Sequence, residues 1–62
     1  TAAIRLDSDL AEAYGNRGLL YAQTGNKKSA LQDLQTAAKL FQQQGNREGY
    51  QETLAYIQQL QR

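Results

Sequence analysis

The residues able to do chemistry in this chain are few: Ser8, Ser29, Thr24, Thr36, Thr53 and six carboxylates, with no histidine and no cysteine. A hydroxyl nucleophile needs a base beside it, and a general acid or base needs surroundings that perturb its pKa. Without an imidazole no serine or threonine has an evident activator, and Ser8 and Ser29 suit helix starts better. Losing both His and Cys also removes thiol chemistry, disulfides and nearly every common transition-metal site. Glu48 and Glu52 stand four apart on one helical face, a spacing open to a cation site, although two like charges on a solvated helix are the commoner reading. Gly15 and Gly18 make no phosphate loop, because no Lys-Ser or Lys-Thr pair follows a glycine at the required spacing. The chain is therefore expected to be no enzyme and to use no cofactor or metal.

Periodicity shows what positions these residues. Tyr14, Gly18 and Tyr21 are spaced by four and three, and Ala30, Leu34 and Ala37 by four and three again, so each run lies on one helical face. Gly25-Asn26 separates them, a glycine to end one helix and an asparagine to cap the next, which predicts two antiparallel helices over about 10 to 24 and from Asn26 to about Gln44. Gly18 costs roughly 1 kcal/mol inside a helix relative to alanine, a cost that makes sense where a missing side chain admits the second helix near Ala30. These six residues are the expected hairpin core. On the first helix Leu10 or Ala11 and Ala22 would extend the buried stripe, while Leu19 is an apolar residue on the other side without an obvious home. Asp7-Ser8-Asp9 is expected to break an earlier helix, with Asp9 and Glu12 as a capping box. Gly45-Asn46 repeats the punctuation twenty residues on and opens a third helix carrying Tyr50, Leu54, Ile57 and Leu60.

Arg17 sits one residue before Gly18, close to the helix contact, where an unpaired charge is costly to desolvate. Asp33, one residue before Leu34, falls opposite it across the antiparallel pair. An Arg17–Asp33 ion pair bridging the hairpin is the expectation.

With Tyr14, Gly18, Tyr21, Ala30, Leu34 and Ala37 at these intervals, the chain resembles the tetratricopeptide repeat, a helix-turn-helix unit of about 34 residues. Arg17 departs from that pattern, where the family has an apolar residue, as does Gln42, where the family commonly closes the repeat with proline. Ala3 and Leu6 precede Ala37 and Leu40 by one period of 34. The resemblance implies an all-α fold that is part of an α-solenoid: residues 1–7 ending a preceding helix B, 8–44 forming the antiparallel hairpin, and 45–62 forming a third, C-terminal helix that caps the array or opens a further repeat. It also implies a non-catalytic scaffold that binds a peptide or a partner's helix on the surface of its first helix, at Glu12, Gly15, Asn16, Leu19, Ala22 and Gln23. Asn16 falls where the family often holds the peptide backbone with an asparagine amide; the alternative is a solvated helix residue. The basic residues with which some members clamp a terminal carboxylate are absent from these positions.

Charge and composition narrow the partners. Seven basic against six acidic residues leave a net charge of +1, and no like-charge block exceeds Lys27-Lys28. Bases so dispersed, among tyrosines that serve the core, speak against nucleic acid. The longest apolar run, Leu19 to Ala22, is far too short to cross a membrane, and no signal-peptide pattern opens the chain. Ten glutamines mostly occupy outward positions between spaced apolar residues, as helix surface rather than low-complexity sequence. The start at Thr1 and the lack of methionine suggest a piece of a longer protein, in which the face around Tyr14 and Tyr21 would be covered. In isolation that face offers a second expectation: self-association into a homodimer, through the exposed face or by exchange of helices across the short turn. Composition leaves the compartment open.

Overall fold

The computed structural model describes residues 2–62, with side chains from Asp9 onward. It is all-α, with three helices, α1 (Ala2–Gln23), α2 (Lys27–Gln44) and α3 (Arg47–Gln61), and no strand among the described residues. The two turns are built alike. After α1 the Gly25 N–H donates to the Ala22 carbonyl at 3.3 Å and the Asn26 N–H to that of Tyr21 at 2.8 Å. After α2 the Gly45 N–H reaches Gln42 at 3.1 Å and the Asn46 N–H reaches Phe41 at 2.9 Å. Both glycines have positive φ, 86° and 74°. This is the Schellman arrangement, which satisfies carbonyls a helix end leaves open and needs the left-handed conformation that glycine adopts without strain.

The helix starts differ where the sequence made them equal. Asn46 accepts from the Gly49 N–H at 3.0 Å, whereas Asn26 makes no side-chain capping bond.

One expected boundary is absent. α1 runs without interruption from Ala2, so Asp7-Ser8-Asp9 does not break it, and Asp9 with Glu12 forms no capping box because no helix starts there. Asp and Ser each cost only about 0.5 kcal/mol in a helix interior. No glycine or proline accompanies them to supply a stop. Residues 2–7 are therefore continuous with the helix carrying Tyr14 and are not a separate element; Thr1 lies outside the described residues.

α2 packs against both α1 and α3, which scarcely meet each other. Its buried residues are Ala30, Asp33, Leu34, Ala37, Ala38 and Phe41. Among the described side chains of α1, Ala11 and Gly18 are the buried positions, with Tyr14, Tyr21 and Ala22 half-buried, while Leu10 is 50% exposed. A Cβ added at Gly18 would sit 2.9 Å from Leu34 Cγ and 3.2 Å from the Ala30 carbonyl oxygen, so the helices approach there only because residue 18 has no side chain. Gly49 does the same for α3, where a Cβ would meet the Phe41 ring at 2.8 Å. Along α3, Ile57 of the apolar stripe and Thr53 beside it are buried, while Tyr50, Leu54 and Leu60 are half-buried, with Tyr50 packed against the core. Thr53 tolerates burial because its hydroxyl donates to the Gly49 carbonyl at 2.7 Å.

Candidate functional site

Because α1 and α3 flank α2 without closing on each other, they leave a groove of about 530 Å³ between them. Leu34 and Phe41 of α2 form its floor. One wall is Glu12, Gly15, Asn16 and Leu19, successive positions on one face of α1, and the other is Glu48, Gly49, Glu52, Thr53 and Tyr56 of α3, with Asn46 at the end. Four of the six residues expected to bind a partner therefore share this groove. Ala22 and Gln23, at the last turn of α1, do not line it.

Leu19, which had no evident partner in the helical pattern, is half-buried in this wall. Asn16 is exposed, and its side-chain amide makes no hydrogen bond with another described residue. A Cβ on Gly15 would have only Ala37 Cβ nearby, at 3.9 Å, so helix packing does not require glycine there. The second wall was not expected. Its signal was in the sequence, since Glu48, Glu52 and Tyr56 are spaced four and four, but only the return of α3 alongside α1 makes that stripe face Glu12. All three groove carboxylates are exposed, and among the described residues no basic one lines the groove.

At the back of the hairpin Arg17 and Asp33 form a two-point pair, with Arg17 Nε donating to Asp33 Oδ2 at 2.6 Å and Nη2 to Oδ1 at 3.0 Å. Matching the planar guanidinium to both carboxylate oxygens gives the stronger kind of ion pair. The guanidinium carbon also lies 5.5 Å from the centre of the Tyr14 ring and 5.9 Å from that of Tyr21, within range of cation–π attraction. Arg17 thus lies over two rings while it holds the carboxylate. Its hydrogen bonds hold the Asp33 carboxyl below the usual carboxylate range, against the opposing effect of burial, and its charge adds to the lowering. The same pairing raises the Arg17 pKa.

Of the hydroxyls considered as nucleophiles, the three threonines are engaged locally. Thr24 Oγ1 donates to the Tyr21 carbonyl and Thr36 Oγ1 to that of Gln32, both at 3.0 Å, and Thr53 is bound as described. The Ser8 side chain lies outside the described residues. Among the described residues no group of three or more carboxylates could hold a metal ion, and no helix is long and apolar enough to cross a membrane. No protein-family model, curated protein or solved structure matches this chain.

Proposed function

We propose that this chain is a non-catalytic interaction module of tetratricopeptide type, taking a peptide or a partner's helix in the groove between α1 and α3. The observation that carries this reading is the groove itself, open to solvent between two polar walls over the buried Leu34 and the nearly buried Phe41, with an exposed amide at Asn16 and little packed against Gly15. An amide offers both a donor and an acceptor to a peptide backbone, and glycine lets that backbone come close. The Gly18 contact with Ala30 and Leu34 also fits the repeat's small-residue packing, while the unbroken α1 departs from it. α3 then serves as the cap of the hairpin, covering the Phe41 side of α2 and turning Gln51, Gln58, Gln59 and Gln61 to solvent.

Selection of a random short-peptide library on the immobilised chain tests this reading, with the Asn16→Ala/Tyr56→Ala variant as comparison. Both positions are exposed, so the variant keeps the fold. Peptides that bind the chain and lose binding to the variant are the expected result. Failure to enrich any, or equal binding to both proteins, would refute it.

A second reading, a homodimer, is favoured by one observation: Leu10 is 50% and Leu20 61% exposed on the outer side of α1, where Ala13 is also exposed. Sedimentation equilibrium over a wide concentration range distinguishes them. A monomer excludes the dimer, and a dimer lost on Leu10→Gln/Leu20→Gln establishes it.

A further inference from the structure

The whole chain is close to neutral, yet its charges are not mixed in the groove. Of the five carboxylates with described side chains, three, Glu12, Glu48 and Glu52, line it, and none of the six basic residues with described side chains does. Glu12 stands on one wall and the two others on the opposite wall, so negative charge faces any occupant from both sides. Between them lie the half-buried Leu19 and the small exposed edge of Phe41 above the buried Leu34, apolar surface that charged groups cannot cover without losing hydration. Along α1, Glu12 to Leu19 spans about 10 Å, and along α3, Glu48 to Tyr56 spans about 12 Å, at 1.5 Å per residue. An extended strand advances about 3.3 Å per residue, so three or four peptide residues fill this length.

We propose that the occupant is a basic extended segment, an apolar side chain seated against Leu19 and the edge of Phe41 with lysine or arginine on either side of it. Successive side chains of an extended peptide alternate in direction, so with one on the floor its neighbours point up toward the mouth of the groove, where long lysine or arginine side chains can bend over to the exposed carboxylates at the rim. The flanking ammonium or guanidinium groups then meet Glu12 across from Glu48 and Glu52, while the main chain passes Gly15 and the Asn16 amide. Tyr56, 40% exposed at the rim, offers a ring to a guanidinium in the same position. An acidic segment would set like charges against both walls. Selectivity for base therefore comes from repulsion of the alternative as well as from attraction.

This inference rests on the groove being the binding site, and the test separates the two. The probes are the peptides selected on the chain, a fluorescein-labelled leucine peptide flanked by lysines, and its glutamine-flanked and glutamate-flanked counterparts. Binding is followed by fluorescence anisotropy at low and high salt. Selected peptides enriched in lysine and arginine, with the lysine-flanked probe preferred, are the expected result. Each of Glu12→Gln, Glu48→Gln and Glu52→Gln should weaken that probe about two- to fivefold, the effect of an exposed charge pair, and high salt should erase the difference. All three positions are exposed, so these variants keep the fold, and a circular-dichroism melt of each checks it. Selected peptides that are neutral or acidic, or that bind the three variants as tightly as the original chain, would overturn the basic partner. If they still lost binding to Asn16→Ala/Tyr56→Ala, the groove would remain the site. Loss of neither would reject both.

Discussion

Gly15 and Gly18 lie one turn apart in the same helix, yet alanine should have opposite effects at the two. Either replacement gains about 1 kcal/mol of helix propensity. At residue 15 nothing opposes the gain, because the new Cβ meets only Ala37 Cβ at 3.9 Å, an ordinary contact. Gly15→Ala should therefore raise stability by about 1 kcal/mol, or Tm by roughly 4–8 °C in a chain of this size. At residue 18 the Cβ would lie 2.9 Å from Leu34 Cγ, 3.1 Å from its Cδ2 and 3.2 Å from the Ala30 oxygen. Leu34 is fully buried and Cγ is its branch point, so neither it nor the α2 backbone can yield by a simple swing. Overpacking of this kind costs about 1–3 kcal/mol, which cancels or exceeds the propensity gain. Gly18→Ala should thus melt below Gly15→Ala by about that same 1–3 kcal/mol. Thermal denaturation followed by circular dichroism, repeated at two concentrations, measures it. Equal melting of the two variants would refute the close contact at Gly18. The pair also bears on binding: if Gly15 serves a ligand, Gly15→Ala stabilises the fold while weakening the selected peptides.

Asp33 makes stability depend on acid. Its native carboxyl is held below the ordinary value of about 3.9, so between the two the unfolded chain binds more protons and stability rises with pH. The contribution is complete above the ordinary value and lost as pH falls through the native one; Asp33→Asn should lower Tm at neutral pH and flatten that acid limb, measured by melting from pH 2 to 7. Gly49→Ala would push a Cβ to 2.8 Å from the Phe41 ring and should destabilise by about 1 kcal/mol net, seen as faster hydrogen exchange in α3. Asn46→Ala should cost about 1 kcal/mol for its lost cap, whereas Asn26→Ala, with no capping bond to lose, should cost distinctly less in the same urea titration. Gly25→Ala should cost about 1–2 kcal/mol although the space around it is open, because only its positive φ resists a side chain.

Local signals made much of the fold legible. Gly25-Asn26 and Gly45-Asn46 place both turns, and the small residues of α1 and α2 identify the faces that touch. The Arg17–Asp33 pair followed from charge beside a helix contact. The misreadings arose where a residue's meaning depends on its neighbours. Asp7-Ser8-Asp9 prefers a helix end, but a mild preference without a stop leaves α1 intact. In α3 the stripe of Tyr50, Leu54, Ile57 and Leu60 does turn inward, but Thr53, which no apolar pattern marks, is buried with it because its hydroxyl is satisfied inside the helix. The second groove wall depends on how far α3 is rotated, a long-range outcome that no periodicity encodes.

Since α2 alone holds the other two helices, heat has two doors into the molecule. α1 can leave while α3 stays, and the reverse, each departure uncovering a different side of the same central rod. Amide exchange should then be slowest in α2 and independently tunable at either flank. A chain of nearest-neighbour links of this kind melts as a row rather than as a sphere, so a substitution at Gly49 need not alter the opening rate of α1 at all.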